Sequence, residues 1–235
     1  MQSYRKDTVV PFRMFDAPRQ HFEENGFALV PNAVPEEMLR QLDQAFDARH
    51  AGARNLLIVP AVRELATSES MRRLVDPVLG PNAFAVRGIL FNKLPGANWK
   101  VPWHQDSAVA VRERRDLPGW GPWVKDGVPH VCPPAEVLAH MLAVRTHLDD
   151  CGTQDGPLRV MPGSHRHGLL KDAEILGWPS EAAITCAVRR GDAILMRPLL
   201  LHASSLAAEP AARRVIHIEF AADELPDGME WHERV

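Results

Sequence analysis

Cysteine is scarce in this chain, and the three present make no pattern: Cys132, Cys151 and Cys186 lie far apart with no C-x-x-C pair. An odd count excludes a fully paired disulfide framework, and the spacing speaks against a structural zinc site. They read as free thiols in a reducing compartment. A strong net charge is also missing. With 27 Lys and Arg against 30 Asp and Glu the formal charge is −3, which leaves no basic field for nucleic acid or an anionic membrane. No apolar run approaches a membrane span, and residues 1–7 have no apolar stretch behind their charges, so neither an anchor nor a secretory leader is expected. Internal repeats and low-complexity tracts are lacking too. What remains is a cytoplasmic protein whose partner is a small molecule held in a pocket; no oligomeric state is legible.

The 235 residues, 46% hydrophobic and 24% charged, suit one domain spanning 1–235 with a substantial core. The first third reads as helical with one short strand. Residues 18–25 make a short helix that Gly26 is placed to end in a left-handed conformation, and residues 27–31 a strand stopped by Pro31. Pro35-Glu36-Glu37 opens a longer helix, since proline suits a first turn and acids complement the dipole there. Met38, Leu42, Ala45 and Phe46 share its apolar face. A second helix is expected over residues 63–75. From residue 83 onward, short apolar runs alternate with Gly and Pro, at 83–94, 137–148, 158–161, 184–188, 193–196 and 214–221. Such spacing predicts an antiparallel sandwich or small barrel. The run at 137–142 has helical propensity as well.

The insertion at 107–134 is long for a loop in a compact domain, and loops of that length are usually functional or disordered. Its tryptophans argue against disorder, so it reads as a lid over a pocket. Trp120 and Trp123 would supply apolar walls, while Arg112, Lys125 and His130 would meet polar or acidic groups on a substrate.

Trp103-His104-Gln105-Asp106 is the sharpest local feature. In extended chain, residues two apart point to the same side. His104 and Asp106 can therefore converge on one ion, with Trp103 beside them for substrate. Two imidazoles and one carboxylate on one face leave three positions open, which suits iron(II) binding a co-substrate and dioxygen together. His202 is the best second histidine, because residues 190–196 read as a turn and strand that return Leu199-Leu200-Leu201-His202 to the same end of the barrel. A His-x-Asp alone is common; the distal histidine and a following arginine give it weight. Of the adjacent Arg213 and Arg214, only one can face inward to clamp a dicarboxylate in a bidentate fork.

These stretches resemble the phytanoyl-CoA dioxygenase family of iron(II) and 2-oxoglutarate oxygenases. The matching segments are Glu24-Asn25-Gly26-Phe27, Asn92-Lys93, His104-Gln105-Asp106, and Gly156-Pro157-Leu158-Arg159-Val160-Met161-Pro162-Gly163-Ser164-His165. Arg190-Gly191-Asp192, His202 and Arg213 complete the set, in the family's order and across nearly the whole chain. The resemblance implies a mainly β fold with flanking helices, a double-stranded β-helix (a jelly-roll, cupin-like barrel). It implies His104, Asp106 and His202 as metal ligands, with 2-oxoglutarate and O2 as co-substrates. The family's spacing from the distal histidine selects Arg213 over Arg214 for 2-oxoglutarate, and Ser204 resembles the hydroxyl that assists it. Arg87 and Asn92 stand on the strand where relatives place further contacts to that co-substrate. The family's namesake substrate does not follow, since no basic patch suits the phosphates of coenzyme A.

Other polar groups are discounted. His165-Arg166-His167 reads as a surface loop, His217 as a hydrogen-bonded core histidine and Asp149-Asp150 as a turn without EF-hand spacing. Halogenating relatives leave open the position that Asp106 fills, which favours hydroxylation of a small metabolite or natural-product intermediate, or desaturation or cyclisation. Two competing readings are a non-catalytic small-molecule-binding barrel and a metal-dependent hydrolase or isomerase on a cupin-like barrel. The first has no need of the full ligand set, and the second leaves Arg213 unexplained.

Overall fold

The computed structural model describes residues 19–49 and 51–235, so residues 1–7 and Pro18 lie outside the described residues. In chain order the strands are β1 (Phe27–Val30), β2 (Gly52–Ala53), β3 (Phe84–Asn92), β4 (Val101–His104), β5 (Val109–Ala110), β6 (Trp123–Lys125), β7 (Val128–Val131), β8 (Met141–His147), β9 (Leu158–Val160), β10 (Ile184–Cys186), β11 (Ala193–Met196), β12 (His202–Ser204) and β13 (Arg214–Ala221). The helices are α1 (Arg19–Asn25), α2 (Glu36–Ala45), α3 (Pro60–Thr67), α4 (Glu69–Leu79), α5 (Ala135–Ala139) and α6 (Asp172–Leu176). A six-stranded sheet runs β1-β11-β8-β13-β3-β2 and a four-stranded sheet β10-β9-β12-β4, with β5-β7-β6 as a small third sheet. All these pairings are antiparallel. This is the jelly-roll, double-stranded β-helix that the family resemblance implies.

Period-two alternation positions everything else. Along β13, Ile216, Ile218 and Phe220 are fully buried against Leu42 of α2, Val62 and Leu65 of α3 and Met71 of α4. The intervening His217 and Glu219 face an internal cavity. Burying each such apolar side chain contributes about 1.5–3 kcal/mol, so the helices hold the outer face of the large sheet while its inner face is free to carry polar groups.

Local features follow from the residues. Gly26 ends α1 at φ 77°, its amide bonded to Phe22 O at 2.7 Å. A Cβ there would collide with the His165 ring, so the glycine also admits that side chain. On α2 the expected face is shifted: Leu39, Leu42 and Phe46 are buried, Met38 is half-buried and Ala45 is exposed. The expected helix at 63–75 is two helices. Ser68 turns extended (ψ 154°) and its hydroxyl accepts from Met71 N at 3.2 Å, capping α4. That helix then continues through Pro77, near enough its end to forfeit little. The run at 137–148 splits into the end of α5 and β8.

The insertion is not a bare loop. Asp126 and Gly127, at φ 52° and 79°, join β6 to β7 through a tight turn whose twist suits a hairpin. Trp120 is buried with Val111, Val131 and Trp231. The three cysteines are unpaired, with Cys151 and Cys186 buried. Among the described residues no helix is long and apolar enough to cross a membrane.

Candidate metal centre

His104 ends β4 directly opposite His202 on β12, and Asp106 lies two residues beyond, its amide bonded to Pro198 O at 2.9 Å. One ligand atom from each of the three lies within 4.8 Å of the others. Between them Gln105 is locked: its amide donates to Gly168 O at 2.8 Å and Leu199 O at 2.7 Å and accepts from Leu170 N at 2.8 Å.

The donor chemistry fits a divalent ion. His104 Nδ1 and His202 Nδ1 each meet a backbone carbonyl at 2.9 Å, Pro102 O and Leu200 O, which directs both Nε2 lone pairs to the centre. Those Nε2 atoms stand 3.7 and 3.6 Å from the Asp106 carboxylate, too far to hydrogen-bond it well. Burial, opposed by Asp106, lowers the His202 pKa to about 4, so the imidazole is neutral and ligand-ready at physiological pH. Burial alone would raise the Asp106 pKa, but the surrounding His202, His217, His104 and Arg87 outweigh it and hold the carboxyl at about 2. Two imidazole nitrogens and one carboxylate with a gap between them are a donor set that fits a non-haem iron(II).

A cavity of about 290 Å³ adjoins the three ligands and reaches between the two large sheets. At its far end Arg213 is 5% exposed, with one Nη2 bond to Gly156 O at 3.3 Å and an Nε that has no partner. Arg214 points the other way, to Asp149 at 2.6 Å, Asp43 at 2.9 Å and Phe46 O at 2.8 Å. Beside Arg213 lies Lys93, 1% exposed, which donates to Ser205 O and to Ser204 Oγ at 3.2 Å. Burial and the nearby Arg213 push its pKa down to about 8. Arg145 is a third buried cation on this wall; burial, then Arg213, lowers its pKa to about 10.

Of the expected site residues, His104, Asp106, His202, Arg213, Ser204 and Arg87 line the cavity. Asn92 does not: its side chain donates to Ala48 O at 3.0 Å and accepts from Arg213 N at 2.8 Å, so it braces the arginine's backbone. Trp103 alternates to the opposite side of β4 from His104, where the Arg159 guanidinium lies 5.4 Å from its ring centroid. Arg112 pairs with Glu230 on the surface. Trp123 stacks on His130 at 5.8 Å, and His130 is buried with Nδ1 on Val128 O at 2.9 Å; neither lines the cavity. Lys125 is the expected insertion residue that does reach it.

Lys93 and Arg145 carried no expected role, although Asn92-Lys93 stood among the matching segments. Trp99 and Arg54, further lining residues, lie in irregular stretches that sequence periodicity does not aim. The discounted groups keep structural partners. His165 Nε2 meets Glu23 O at 3.0 Å, Asp149 holds Arg214, and His217 sits between Arg145 Nη1 (3.2 Å) and Glu219 Oε1 (3.3 Å).

The sequence profile of the family described as phytanoyl-CoA dioxygenase (PhyH) matches residues 49–215. Peroxisomal phytanoyl-CoA dioxygenase of Homo sapiens is 22% identical over 251 residues, covering 87% of this chain and 67% of that protein. Among solved structures, EctD from S. alaskensis in its apoform superposes with a TM-score of 0.65 at 16% identity, covering 93% of this chain and 80% of that one. HygX from Streptomyces hygroscopicus, with nickel and 2-oxoglutarate bound, gives 0.60 at 17% identity, covering 87% and 86%. At such identities these likenesses speak to the fold, and they agree on the barrel. The profile match encloses His104, Asp106, His202 and Arg213, and the chain belongs to the phytanoyl-CoA dioxygenase family of iron(II)- and 2-oxoglutarate-dependent oxygenases.

Proposed function

We propose that this protein hydroxylates an unactivated C–H bond of a small metabolite or natural-product intermediate, consuming 2-oxoglutarate and dioxygen and releasing succinate and carbon dioxide. One observation carries the reading: a single cavity pairs three metal-ready ligand atoms with a buried arginine whose Nε has no partner. In this reading His104, Asp106 and His202 hold iron(II). Arg213, with Lys93 and Ser204 beside it, takes the distal carboxylate of 2-oxoglutarate. When bound, metal and co-substrate supply oxidative decarboxylation coupled to attack on carbon, chemistry that no side chain provides.

The protein's own work is orientation and exclusion of water. Carbonyl bonds to Nδ1 fix the planes of both imidazoles. Ile89, Phe91 and Leu158 give the cavity apolar wall, and the chain Arg145–His217–Glu219–Arg87 stiffens its polar side. The reading treats residues 1–235 as one domain, and the unpaired thiols support a cytoplasmic location.

The test is succinate formation by protein supplied with iron(II), 2-oxoglutarate and oxygen. Omitting any of the three should abolish it. Asp106→Ala and His202→Ala should each abolish it too and lower bound iron, since each removes one of three protein ligands. Wild-type succinate release from the Asp106→Ala protein would overturn the assignment.

A further inference from the structure

Six cationic side chains line the cavity, Arg54, Arg87, Lys93, Lys125, Arg145 and Arg213, against two carboxylates, Asp106 and Glu219. The cations fall into two groups. Lys93, Arg145 and Arg213 sit together deep in the barrel, and a dicarboxylate co-substrate accounts for them. Arg54, Arg87 and Lys125 come from three separate places, the bend after β2, the middle of β3 and the insertion hairpin, and also line the cavity.

Local partners neutralise two of this second group and leave the third. Arg87 is matched by Glu219 at 3.2 Å and Arg54 by Asp126 at 3.0 Å. Lys125 makes neither a hydrogen bond nor an ion pair among the described residues. Burial, followed by Arg54 and Arg87, lowers its pKa, and Arg87, Lys125 and Arg54 all act in the same direction on His130. Lys125 thus adds one unmatched positive charge beside two ion-paired guanidiniums, a place where an anion is favoured. The adjoining ground is apolar: a second pocket of about 460 Å³ shares Arg54, Ile89, Phe91 and Trp99 with the cavity.

We infer that the substrate is a small amphiphilic acid, whose carboxylate or phosphate is held by Lys125 with Arg54 and Arg87 while its apolar body lies along Ile89, Phe91 and Trp99. This rests on the oxygenase reading above, which assigns the deep cations to the co-substrate.

Calorimetric titration of the iron(II)-loaded protein, kept free of oxygen, tests it. Benzoate, phenyl phosphate and neutral benzamide are the probes, each added with and without saturating 2-oxoglutarate. At least one anion should bind the 2-oxoglutarate-saturated protein about tenfold more tightly than benzamide, the scale of one charge-assisted contact. Lys125→Gln should lose that advantage, and Lys125→Arg should keep most of it. Preference for benzoate assigns a carboxylate, and preference for phenyl phosphate assigns a phosphate. The inference is overturned if benzamide binds as well as the anions, if neither anion binds, or if Lys125→Gln matches wild type. Failure of 2-oxoglutarate itself to bind would instead count against the co-substrate reading, and the anion titrations alone would still decide the anion site.

Discussion

Arg213 and Arg214 are covalent neighbours with opposite surroundings, because successive residues entering β13 face opposite sides of the sheet. One is a buried cation whose Nε has no hydrogen-bond partner among the described residues, and the other is anchored to Asp149 and Asp43 on the helix side. Their alanine variants should therefore fail differently. Arg213→Ala should raise the Michaelis constant for 2-oxoglutarate by an amount worth roughly 2–5 kcal/mol, the usual loss for a buried charged contact. Arg214→Ala should leave that constant near wild type and lower thermal stability, by about 1.5–3 kcal/mol for charged hydrogen bonds lost. Steady-state succinate assays and thermal melts of both proteins read the two effects separately. A larger rise in the Michaelis constant for Arg214→Ala would reverse the assignment.

Elements differ in how much of them the sequence reveals. The strand at 214–221 is legible to the residue, because Ile216, Ile218 and Phe220 alternate and Val215 adds a further strand former. The convergence of His104, Asp106 and His202 is legible because His-x-Asp in extended chain puts two donors on one side and a distal histidine follows on a returning strand. The apolar face of α2 is not, since Leu42 belongs equally to a stripe with Met38 and Ala45 or to one with Leu39 and Phe46, and tertiary packing chooses the second. The β6–β7 hairpin did carry its signal, an Asp-Gly pair between Trp123-Val124 and Val128, but the polar residues around it read as loop. That hairpin changes the lid hypothesis. Arg112 and Trp120 are tied to the C-terminal segment and a buried cluster, whereas Trp123, Val124 and Lys125 are exposed at the hairpin. A lid, in this structure, would comprise residues 123–128 rather than the whole insertion. Trypsin should nick the apo protein at Lys125 in preference to Arg112, Arg114 or Arg115. Iron(II), 2-oxoglutarate and an anionic ligand together should suppress that cut. Equal cleavage with and without ligands would make the hairpin a fixed flap.

At the scale of the whole molecule, the two sheets of the barrel carry complementary halves of the chemistry. The four-stranded sheet brings the histidines from β4 and β12, and the six-stranded sheet brings Arg87, Arg145, His217 and Glu219. The core that fastens the helices lies on the outer face of the larger sheet; between the sheets Ile194 and Met196 pack with Leu158, Val160 and Cys186, and the rest of the inner space is lined by polar groups. Strand β4 lies at the edge of its sheet and pairs with β12 at only two positions, His104 with His202 and Val101 with Ser204 across a register shift. An ion bound by His104, Asp106 and His202 would clasp this weak edge to its neighbour, so metal binding should act as a folding ligand. With free iron(II) at one hundred times its dissociation constant, the gain is about 2.7 kcal/mol. For a domain of this length that is a rise of roughly 5–10 °C in melting temperature. Anaerobic melts with iron(II) and with a chelator should show this difference in the wild type, and Asp106→Ala should lose most of it. A melting temperature indifferent to chelation would mean that β4 is secured by its own hydrogen bonds and packing, with the metal a passenger on a finished scaffold.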